Sequence, residues 1–455
     1  MPSAIGGAVS QASAARLWSP TLDPDFAARA SAVAWSVAQR LRDREGLLAV
    51  QQAALQQTFY PSSVRWAPLG VAQGDAGLAL CCAYLDVCFP DEDWDTLGHH
   101  YLSLSVRAAE ALAPAPLGIF GGLAGLAFAA HCLSRGGTRY AGLSNSLDAS
   151  LSAAACAAAN AMAGVHGMAV SDFDLITGLS GVGAYFLCRH QQADASAGLR
   201  EVLKALAAST ATVDGIPHWY TPPEALADPS MLSLHPNGNL NCGLAHGIAG
   251  PIALMALALQ EGFEVDGQRE ALARSAGWLA RHRTADEFGI NWPTAVPCFP
   301  GGVAPPASLD ASRAAWCYGT PGVARALWLA GQALGDDALR ALAIEGMAAV
   351  YRRPIARRQI DSPTFCHGVA GLLHITLRFA HDSGEPLFTD AAHQLGRQLL
   401  QLHDAQRPLG FAAIEPQGNL VDLAGLLDGA PGVMLTLLAA AHPAPPNWDR
   451  LFLLS

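Results

Sequence analysis

The hydrophobic and polar positions of the chain alternate between two kinds of helical segment. In Leu199–Leu206, apolar residues stand at positions 199, 202, 203 and 206, and charged residues fill the opposite face. The same period recurs in Phe26–Arg44, Arg269–Arg281 and Asp337–Val350 and predicts amphipathic helices with one buried face. In segments such as GLALCCAYL and GVARALWLA nearly every position is apolar or small. Helices of this second kind are expected to be buried all round.

Each apolar segment opens with the tetrapeptide Gly-x-x-Gly, which occurs seven times. Its first glycines are Gly74, Gly122, Gly178, Gly247, Gly319, Gly368 and Gly429, at successive spacings of 48, 56, 69, 72, 49 and 61 residues. A recurring period of this length is typical of repeat architectures. Each repeat is therefore predicted to pair an amphipathic outer helix with an apolar inner helix that is entered through the glycine turn.

Seven such hairpins predict an all-α closed ring, because inner helices rich in glycine and alanine can approach closely around a central axis. All inner-helix N-termini then point toward one pole, where the residues before the glycine turns converge. An open superhelical solenoid is the alternative, although no capping repeat is evident. We predict one domain over residues 1–455, with outer helices in 1–60 and the seven repeats in 61–455. Two long stretches rich in proline and glycine, Thr221–Asn241 and Phe288–Asp310, are expected to fold over the same pole.

Composition narrows the class of protein. Of the 455 residues, 51% are hydrophobic and 14% are charged, and the formal net charge is −11. Nucleic acid is not an expected partner, because phosphate binding needs clustered cations. Membrane association is not indicated either, since the uncharged stretch Gly243–Gln260 contains Gly250 and Pro251 and is predicted to be a buried helix. Ten cysteines are too few for a disulfide scaffold and no signal peptide is evident, so a cytoplasmic location is expected.

The residues directly before the glycine turns carry the candidate chemistry. In order they are Gln73, Gly121, Thr177, His246, Tyr318, His367 and Asp428. Cys317 and Cys366 stand one position earlier in the fifth and sixth repeats, so the register predicts that two thiols and the adjoining His367 meet at the pole. Two thiolates and one imidazole suit Zn²⁺ with a free fourth position, which is typical of a catalytic site. The alternative is two buried structural thiols and a core histidine.

The charge of such a site indicates what it could activate. Zn²⁺ with two thiolates is formally neutral, and it is therefore a weaker Lewis acid toward water than a histidine-rich site. Coordination still removes the proton from a thiol, whose ordinary pKa is about 8.5. The site is therefore predicted to activate a substrate thiol.

Four further residues are candidates for catalysis. His246 could transfer a proton near neutral pH, because imidazole titrates near pH 6.5; a fourth metal ligand and a structural histidine are its alternatives. Asp174 lies four residues before the third glycine turn and could orient His246. Arg313 lies four residues before Cys317 and, like Tyr318, could stabilise a developing oxyanion. Each of them could instead be an ordinary helix cap, surface charge or packing residue.

The remaining cysteines lie in apolar surroundings or out of register, and we interpret them as packing residues. They are Cys81, Cys82, Cys88, Cys132, Cys156, Cys188 and Cys298. Cys242 lies four residues before His246 and is a spare thiol without a sequence argument for a role. The sequence contains no phosphate-binding loop, dinucleotide fingerprint or serine nucleophile elbow.

Three motifs resemble those of the LanC-like lanthionine synthetase cyclases: GLAHGIAG from Gly243, WCYGTPG from Trp316 and CHGVAG from Cys366. Together with the seven repeats, the resemblance covers nearly the whole chain, and the WCYG form is similar to that of the bacterial members. It implies an α/α toroid of seven inner and seven outer helices with one zinc ion. The ligands that it implies are Cys317, Cys366 and His367, and the active-site positions that it matches are Asp174, His246, Arg313 and Tyr318. Some bacterial members carry an inserted domain, which we do not locate in this sequence.

The reaction of that family is the intramolecular addition of a peptide cysteine to dehydroalanine or dehydrobutyrine, which forms a lanthionine or methyllanthionine ring. The resemblance implies that zinc holds the thiolate, that His246 with Asp174 moves a proton, and that Arg313 and Tyr318 stabilise the enolate. It implies a dehydrated precursor peptide, with a leader and a cysteine-containing core, as substrate and a separate dehydratase as partner. Two alternatives are zinc-dependent addition of glutathione or another thiol to dehydrated residues, and a non-catalytic zinc-stabilised platform that binds modified peptide.

Overall fold

The computed structural model describes residues 18–112, 114–226, 229–305 and 312–455. Parts of three predicted regions lie outside the described residues: 1–17 of the N-terminal outer-helix region, 227–228 of the first long stretch and 306–310 of the second. The helices are α1 (Pro24–Arg40), α2 (Arg44–Gln57), α3 (Asp75–Cys88), α4 (Trp94–Ala111), α5 (Leu123–Leu133), α6 (Ala141–Met162), α7 (Val170–Phe173), α8 (Leu179–Cys188), α9 (Ala193–Ser209), α10 (Pro229–Leu234), α11 (Ala249–Gln260), α12 (Gln268–Arg281), α13 (Thr320–Leu334), α14 (Asp337–Arg352), α15 (Ile355–Arg358), α16 (Val369–Ser383), α17 (Pro386–Gln401) and α18 (Ala430–Ala441).

The strands are short and lie between the helices. They are β1 (Thr212–Val213), β2 (Ile216–Pro217), β3 (Asn239–Asn241), β4 (Thr284–Asp286), β5 (Gly289–Asn291), β6 (Ala295–Phe299), β7 (Gly302–Val303), β8 (Ala413–Glu415) and β9 (Asn419–Val421). They pair as β1–β2, β4–β5 and β8–β9 hairpins and as one three-stranded sheet, β3–β6–β7. The predominantly helical architecture agrees with the predicted fold class.

Every glycine turn opens one inner helix, so the part of the chain that the structure describes contains seven: α3, α5, α8, α11, α13, α16 and α18. The outer helices α4, α6, α9, α12, α14 and α17 each pack on the inner helix before them, and α1 packs on α18. Inner helix α11 is buried from Ala249 to Leu259 because all of these residues are apolar or small. No helix in the described ranges is both long and apolar enough to cross a membrane.

The outer helices follow ordinary rules of helix formation. In α14, for example, the carboxylate of Asp336 accepts hydrogen bonds from the N–H groups of Ala338 and Leu339 and caps the first turn. Its buried residues include Leu339, Ala343, Met347 and Val350, at the spacing of one helix face. The amphipathic pattern predicted over 337–350 is therefore confirmed.

The ring of inner helices is closed, because α18 contacts α3 as each earlier inner helix contacts the next. The second glycine of each turn makes this close approach possible. A Cβ on Gly125 would lie 2.7 Å from Cγ2 of Val71 in the preceding repeat. A Cβ on Gly77 would lie 3.3 Å from Cβ of Leu426, which belongs to the last repeat. The predicted toroid is confirmed, and the open solenoid is excluded.

The two long stretches between repeats pair with each other. Strand β3 of the first stretch is antiparallel to β6 of the second, with Leu240 opposite Val296. Beyond β3, the N–H of Cys242 donates to the carbonyl of Thr294 at 2.9 Å, which fixes the approach to the His246 turn. This small sheet therefore lies beside the pole where the glycine turns converge.

Candidate metal centre and active site

A ring of backbone hydrogen bonds joins the seven turns at this pole. The residues two positions before the glycines, or their direct neighbours, bond from repeat to repeat: Ala72 N to Phe120 O (3.1 Å), Phe120 N to Ile176 O (3.4 Å), Leu175 N to Ala245 O (3.1 Å), Ala245 N to Cys317 O (3.3 Å), Cys317 N to Cys366 O (3.3 Å), Cys366 N to Leu427 O (3.1 Å) and Leu427 N to Ala72 O (3.2 Å). The last bond returns to the first repeat. Because Cys317 and Cys366 occupy consecutive places in this ring, their backbones are held side by side.

The thiols of Cys317 and Cys366 are neighbours as well. A hydrogen bond between them, followed by burial, raises the pKa of Cys366 well above its usual value, while the charge of Arg313 opposes this shift. The free thiol of Cys366 therefore holds its proton at neutral pH. A divalent cation would replace that proton.

His367 extends this pair into a group of metal-binding side chains. The ligand atoms of Cys366, His367 and Asp428 all lie within 4.8 Å of one another. Cys317 is outside that mutual group and joins it through Cys366. The structure therefore brings the three predicted ligands to one place and adds a carboxylate, Asp428, that the sequence interpretation did not count among the ligands.

Asp428 can act on His367 rather than on a metal. Its Oδ1 lies 3.4 Å from Nδ1 of His367, which leaves Nε2 of the same ring for a cation. That oxygen is buried and has no hydrogen-bond partner among the described residues. Burial raises the pKa of Asp428, and the neighbouring His367 opposes the rise. A metal-bound imidazole commonly donates its second N–H to a carboxylate. Two cysteine sulfur atoms and one imidazole nitrogen, with the Asp428 carboxylate beside the imidazole, therefore fit Zn²⁺.

His246 and Asp174 form a second histidine–carboxylate pair on the same pole. Nδ1 of His246 lies 2.6 Å from Oδ2 of Asp174, whose side chain is 1% exposed. The other carboxylate oxygen accepts from the N–H groups of Thr177 (2.8 Å) and Gly178 (2.7 Å). Because the carboxylate can only accept, Nδ1 carries the proton and Nε2 is free to exchange one. The imidazole itself is 39% exposed and so accessible to a ligand.

Tyr318 stands between the two groups. Its ring centroid is 6.3 Å from that of His246, and it follows Cys317 in sequence. Burial raises the pKa of Tyr318 to about 12, although a hydrogen bond from Asn241 opposes the rise. Nδ2 of Asn241 donates to the hydroxyl at 3.3 Å, so the hydroxyl keeps its own proton available for donation at neutral pH.

Arg313 is exposed and lies at the rim of the thiol pair. It lines a cavity of about 640 Å³ together with Cys366, His367 and Asp428. The far wall of this cavity is the β8–β9 hairpin with the loop from Tyr60 to Val64. The cavity opens directly onto the candidate metal ligands and is large enough for part of a peptide. A smaller cavity of about 300 Å³, lined by residues such as Met162, Met168 and Thr177, lies beside Asp174.

The sequence analysis assigned no role to two residues that lie near these candidate site residues. Asp428 precedes the seventh glycine turn, so the repeat register carried a signal that it faces the pole. Asn241 belongs to a strand between repeats, and nothing in its spacing indicates that it contacts Tyr318. Cys242, by contrast, is buried, and its thiol donates to the carbonyl of Leu240 at 3.7 Å. Burial raises the pKa of Cys242 strongly.

Comparisons with known proteins agree with this architecture. A family model described as "Lanthionine synthetase C-like protein" matches residues 65–453. Nisin biosynthesis protein NisC of Lactococcus lactis subsp. lactis is 30% identical over 212 residues, which are 46% of this chain and 49% of NisC. The alignment therefore spans about half the length of that relative.

A solved structure titled "Nisin cyclase" is similar in fold. It superposes with a TM-score of 0.72 over 89% of this chain and 96% of its own, at 22% sequence identity. The family model covers the glycine turns, both cysteines and both histidine–carboxylate pairs described above. The chain therefore belongs to the lanthionine synthetase C-like protein family.

Proposed function

We propose that this chain is a zinc-dependent lanthipeptide cyclase. It adds cysteine thiols of a dehydrated precursor peptide to dehydroalanine or dehydrobutyrine in the same peptide and so forms thioether rings. The observation that carries the proposal is the neighbouring pair Cys317 and Cys366 with His367 beside it. Such a set can bind one zinc ion and a substrate sulfur. Membership of the family and the similarity to NisC, whose name assigns it to nisin biosynthesis, support the same activity.

The proposed zinc ligands are Cys317, Cys366 and His367. When bound there, zinc supplies the acidity that converts a substrate thiol into a thiolate at neutral pH. Asp428 would accept from Nδ1 of His367 and so leave Nε2 to bind the ion. The hydrogen bond between Cys317 and Cys366 keeps the two sulfur donors close together. Cys317 is buried, whereas Cys366 is partly exposed and lines the cavity.

The proposed acid and base work is done by His246. Attack of sulfur on the β-carbon leaves a developing enolate, and the α-carbon must then receive a proton. Nε2 of His246 can deliver it, because Asp174 holds Nδ1 at 2.6 Å and fixes the ring. In this proposal the hydroxyl of Tyr318 and the guanidinium of Arg313 donate to the enolate oxygen. Asn241 orients the Tyr318 hydroxyl through its 3.3 Å hydrogen bond.

The proposed substrate is a precursor peptide with a leader and a cysteine-containing core, part of which occupies the 640 Å³ cavity. A separate dehydratase would supply the dehydrated residues. The ten free cysteines suit a reducing, cytoplasmic environment. We further propose that the toroid is one domain over residues 1–455, with the seven repeats in 61–455.

A synthetic peptide with one cysteine and one dehydroalanine tests the reaction. We expect purified, zinc-loaded protein to remove the free thiol faster than a protein-free control while the peptide mass stays constant. A mass increase in the presence of glutathione would indicate intermolecular addition instead. If the peptide binds tightly but its free thiol and its mass both stay unchanged, the protein is a platform without catalysis. Either of these two outcomes contradicts the proposed cyclase.

A further inference from the structure

The interior of the toroid is filled by a segment of the chain that follows the last inner helix. A 3₁₀ turn, Asn447–Phe452, contacts α5 and α8 inside the ring. Trp448, Leu451 and Phe452 are at most 2% exposed, so this segment is part of the core rather than a surface tail. Its position places it directly below the pole that carries the candidate site.

Buried polar contacts hold this segment in place. Asp449 is fully buried and accepts hydrogen bonds from Arg378 (2.7 Å) and from His374 (2.7 Å), both on α16. The guanidinium of Arg325 on α13 donates twice to the carbonyl of Leu454, at 2.8 and 2.6 Å. Because a buried charge that loses its partner is strongly unfavourable, these contacts fix the segment against α13 and α16.

Phe452 connects this segment to both cysteines. Its ring lies 4.0 Å from the ring of Phe365 and 5.0 Å, edge-on, from that of Trp316, measured between centroids. Nε1 of Trp316 also donates to the carbonyl of Phe452 at 3.2 Å. Trp316 directly precedes Cys317, and Phe365 directly precedes Cys366. One residue therefore contacts the immediate neighbours of both candidate sulfur ligands.

Phe452 also meets Phe120 of the second turn, at 5.5 Å between ring centroids. The position directly before each cysteine, three residues before the glycine turn, is nevertheless aromatic only in the two cysteine-bearing repeats. The equivalent residues of the other five repeats are all aliphatic and fully buried: Val71, Ile119, Leu175, Leu244 and Leu426. Large rings occur at this position in the fifth and sixth repeats, and Phe452 packs against both. Two sulfur ligands must be held within a few tenths of an ångström to bind one ion, and packed side chains can impose that precision.

We propose that Phe452 is a positioning residue that sets the spacing of Cys317 and Cys366 from below. This inference rests on the proposed function, in which these two thiols bind zinc. Phe452 touches neither substrate nor metal, and it acts through Trp316 and Phe365. Replacement of Phe452 is expected to weaken metal binding by more than the accompanying loss of protein stability explains.

The test uses Phe452→Leu and, as a second variant of similar size with a flexible side chain that can fill irregular gaps, Phe452→Met. Phe186→Leu is the matched control, because Phe186 is equally buried but packs on the outer helix α9, where it meets Gly198. Each protein is stripped with a chelator and titrated with Co²⁺, and the thiolate-to-cobalt absorption gives affinity and geometry. Measurements are made well below the unfolding temperature of every variant, so that all are folded.

Phe452→Leu is expected to weaken Co²⁺ binding by about tenfold, which is the low end of what supporting residues contribute to a metal site. Phe186→Leu should stay within about twofold of wild type even if its unfolding temperature falls equally. Wild-type affinity and spectrum in both Phe452 variants would overturn the inference, as would an equal loss in the control.

A second readout does not depend on metal. Dibromobimane cross-links neighbouring thiols, and peptide mapping of the metal-free protein reports the Cys317–Cys366 product. Phe452→Leu should slow this cross-link relative to both wild type and Phe186→Leu, and an unchanged rate would contradict the positioning role. If wild-type protein bound no Co²⁺, the zinc proposal would fail, while this cross-linking would still decide whether Phe452 sets the thiol spacing.

Discussion

Two histidine–carboxylate pairs occupy the same pole of the toroid, and their histidines stand at equivalent repeat positions. In the fourth repeat, His246 is 2.6 Å from Asp174, whose other oxygen is held by two backbone N–H groups. In the sixth repeat, His367 is 3.4 Å from Asp428, whose nearer oxygen lacks any other partner in the described residues. The first carboxylate is fixed by the turn of the third repeat, whereas the second has no such backbone contact at the oxygen nearest its histidine.

The two pairs have different neighbours, and we propose that these neighbours give the pairs different chemistry. His367 has Cys366 beside it and Cys317 one repeat away, so its free nitrogen is near two sulfur donors. His246 has Tyr318 beside it instead, and no thiol of the described residues joins it in a metal-binding group. The repeats of the toroid therefore place a histidine at the same position of two different turns. The residues of the adjoining repeats determine whether it suits proton transfer or metal binding.

The sharpest test of this comparison replaces each histidine by glutamine. His246→Gln is expected to lower the kcat of cyclisation by about 10²–10⁴-fold with unchanged zinc content, because it removes the proton donor only. His367→Gln is expected to lose most of the zinc. Activity assays are paired with elemental analysis of the same preparations. Loss of zinc in His246→Gln would instead make His246 a fourth ligand and close the site to substrate.

Replacement of the two carboxylates is expected to distinguish catalysis from zinc binding in the same way, but with smaller effects. Asp174→Asn is expected to lower kcat by about 10²-fold, because an amide no longer orients the imidazole as the carboxylate does. Asp428→Asn is expected to leave that step intact and to weaken zinc binding by about tenfold, as removal of a supporting partner does. Competition with a chromophoric chelator gives the affinities. Equal effects of the two variants on zinc affinity would contradict the division of roles.

The tight packing of a glycine turn can be tested at its second glycine. A Cβ on Gly371 would lie 2.0 Å from the carbonyl oxygen of Phe365 and 3.4 Å from Cβ of Trp316. Gly371→Ala is therefore expected to lower the free energy of unfolding by about 2 kcal/mol and to reduce zinc affinity. Gly142→Ala is the control, because its Cβ would meet nothing within 4 Å.

Gly142 lies in helix α6, where alanine is favoured over glycine by about 0.5 kcal/mol. Its replacement is therefore expected to be neutral or slightly stabilising. Thermal unfolding followed by circular dichroism compares the two proteins. A Gly371→Ala protein as stable as the control would show that the sixth glycine turn is not packed as tightly as described.

The smallest effect is expected at Cys242. Its thiol is buried in the core and four residues from His246. Cys242→Ala should cost about 1 kcal/mol of stability, from the lost packing of one sulfur. Zinc content and cyclisation rate should stay within twofold of wild type. A large fall in either would make Cys242 part of the chemistry and would weaken the contrast between the two pairs.

The toroid could be predicted because it is encoded locally and repeatedly. Each glycine turn precedes an apolar helix, and the second glycine leaves room for the neighbouring repeat, as Gly77 does for Leu426. The approach of Cys317 to Cys366 follows from the same register, since equivalent positions of consecutive repeats must be adjacent in a ring. Both expectations need only periodicity and the small size of glycine.

Other features depend on contacts that have no period. Asn241 reaches Tyr318 from a strand between repeats, across 77 residues of sequence. Phe452 meets Trp316 across 136 residues and lies outside every repeat. The distance between His367 and Asp428 also depends on side-chain conformations rather than on register. Such contacts are selected by three-dimensional packing, so a single sequence carries no pattern that predicts them.

The most direct test of the central claim is the zinc content of reduced protein purified without chelators, compared with a Cys317→Ser/Cys366→Ser double variant. The account predicts about one zinc ion per wild-type chain and less than about one tenth of an ion per chain of the folded double variant, since two of three protein ligands are gone. Metal-free wild-type protein, or a double variant that retains the full ion, would contradict it.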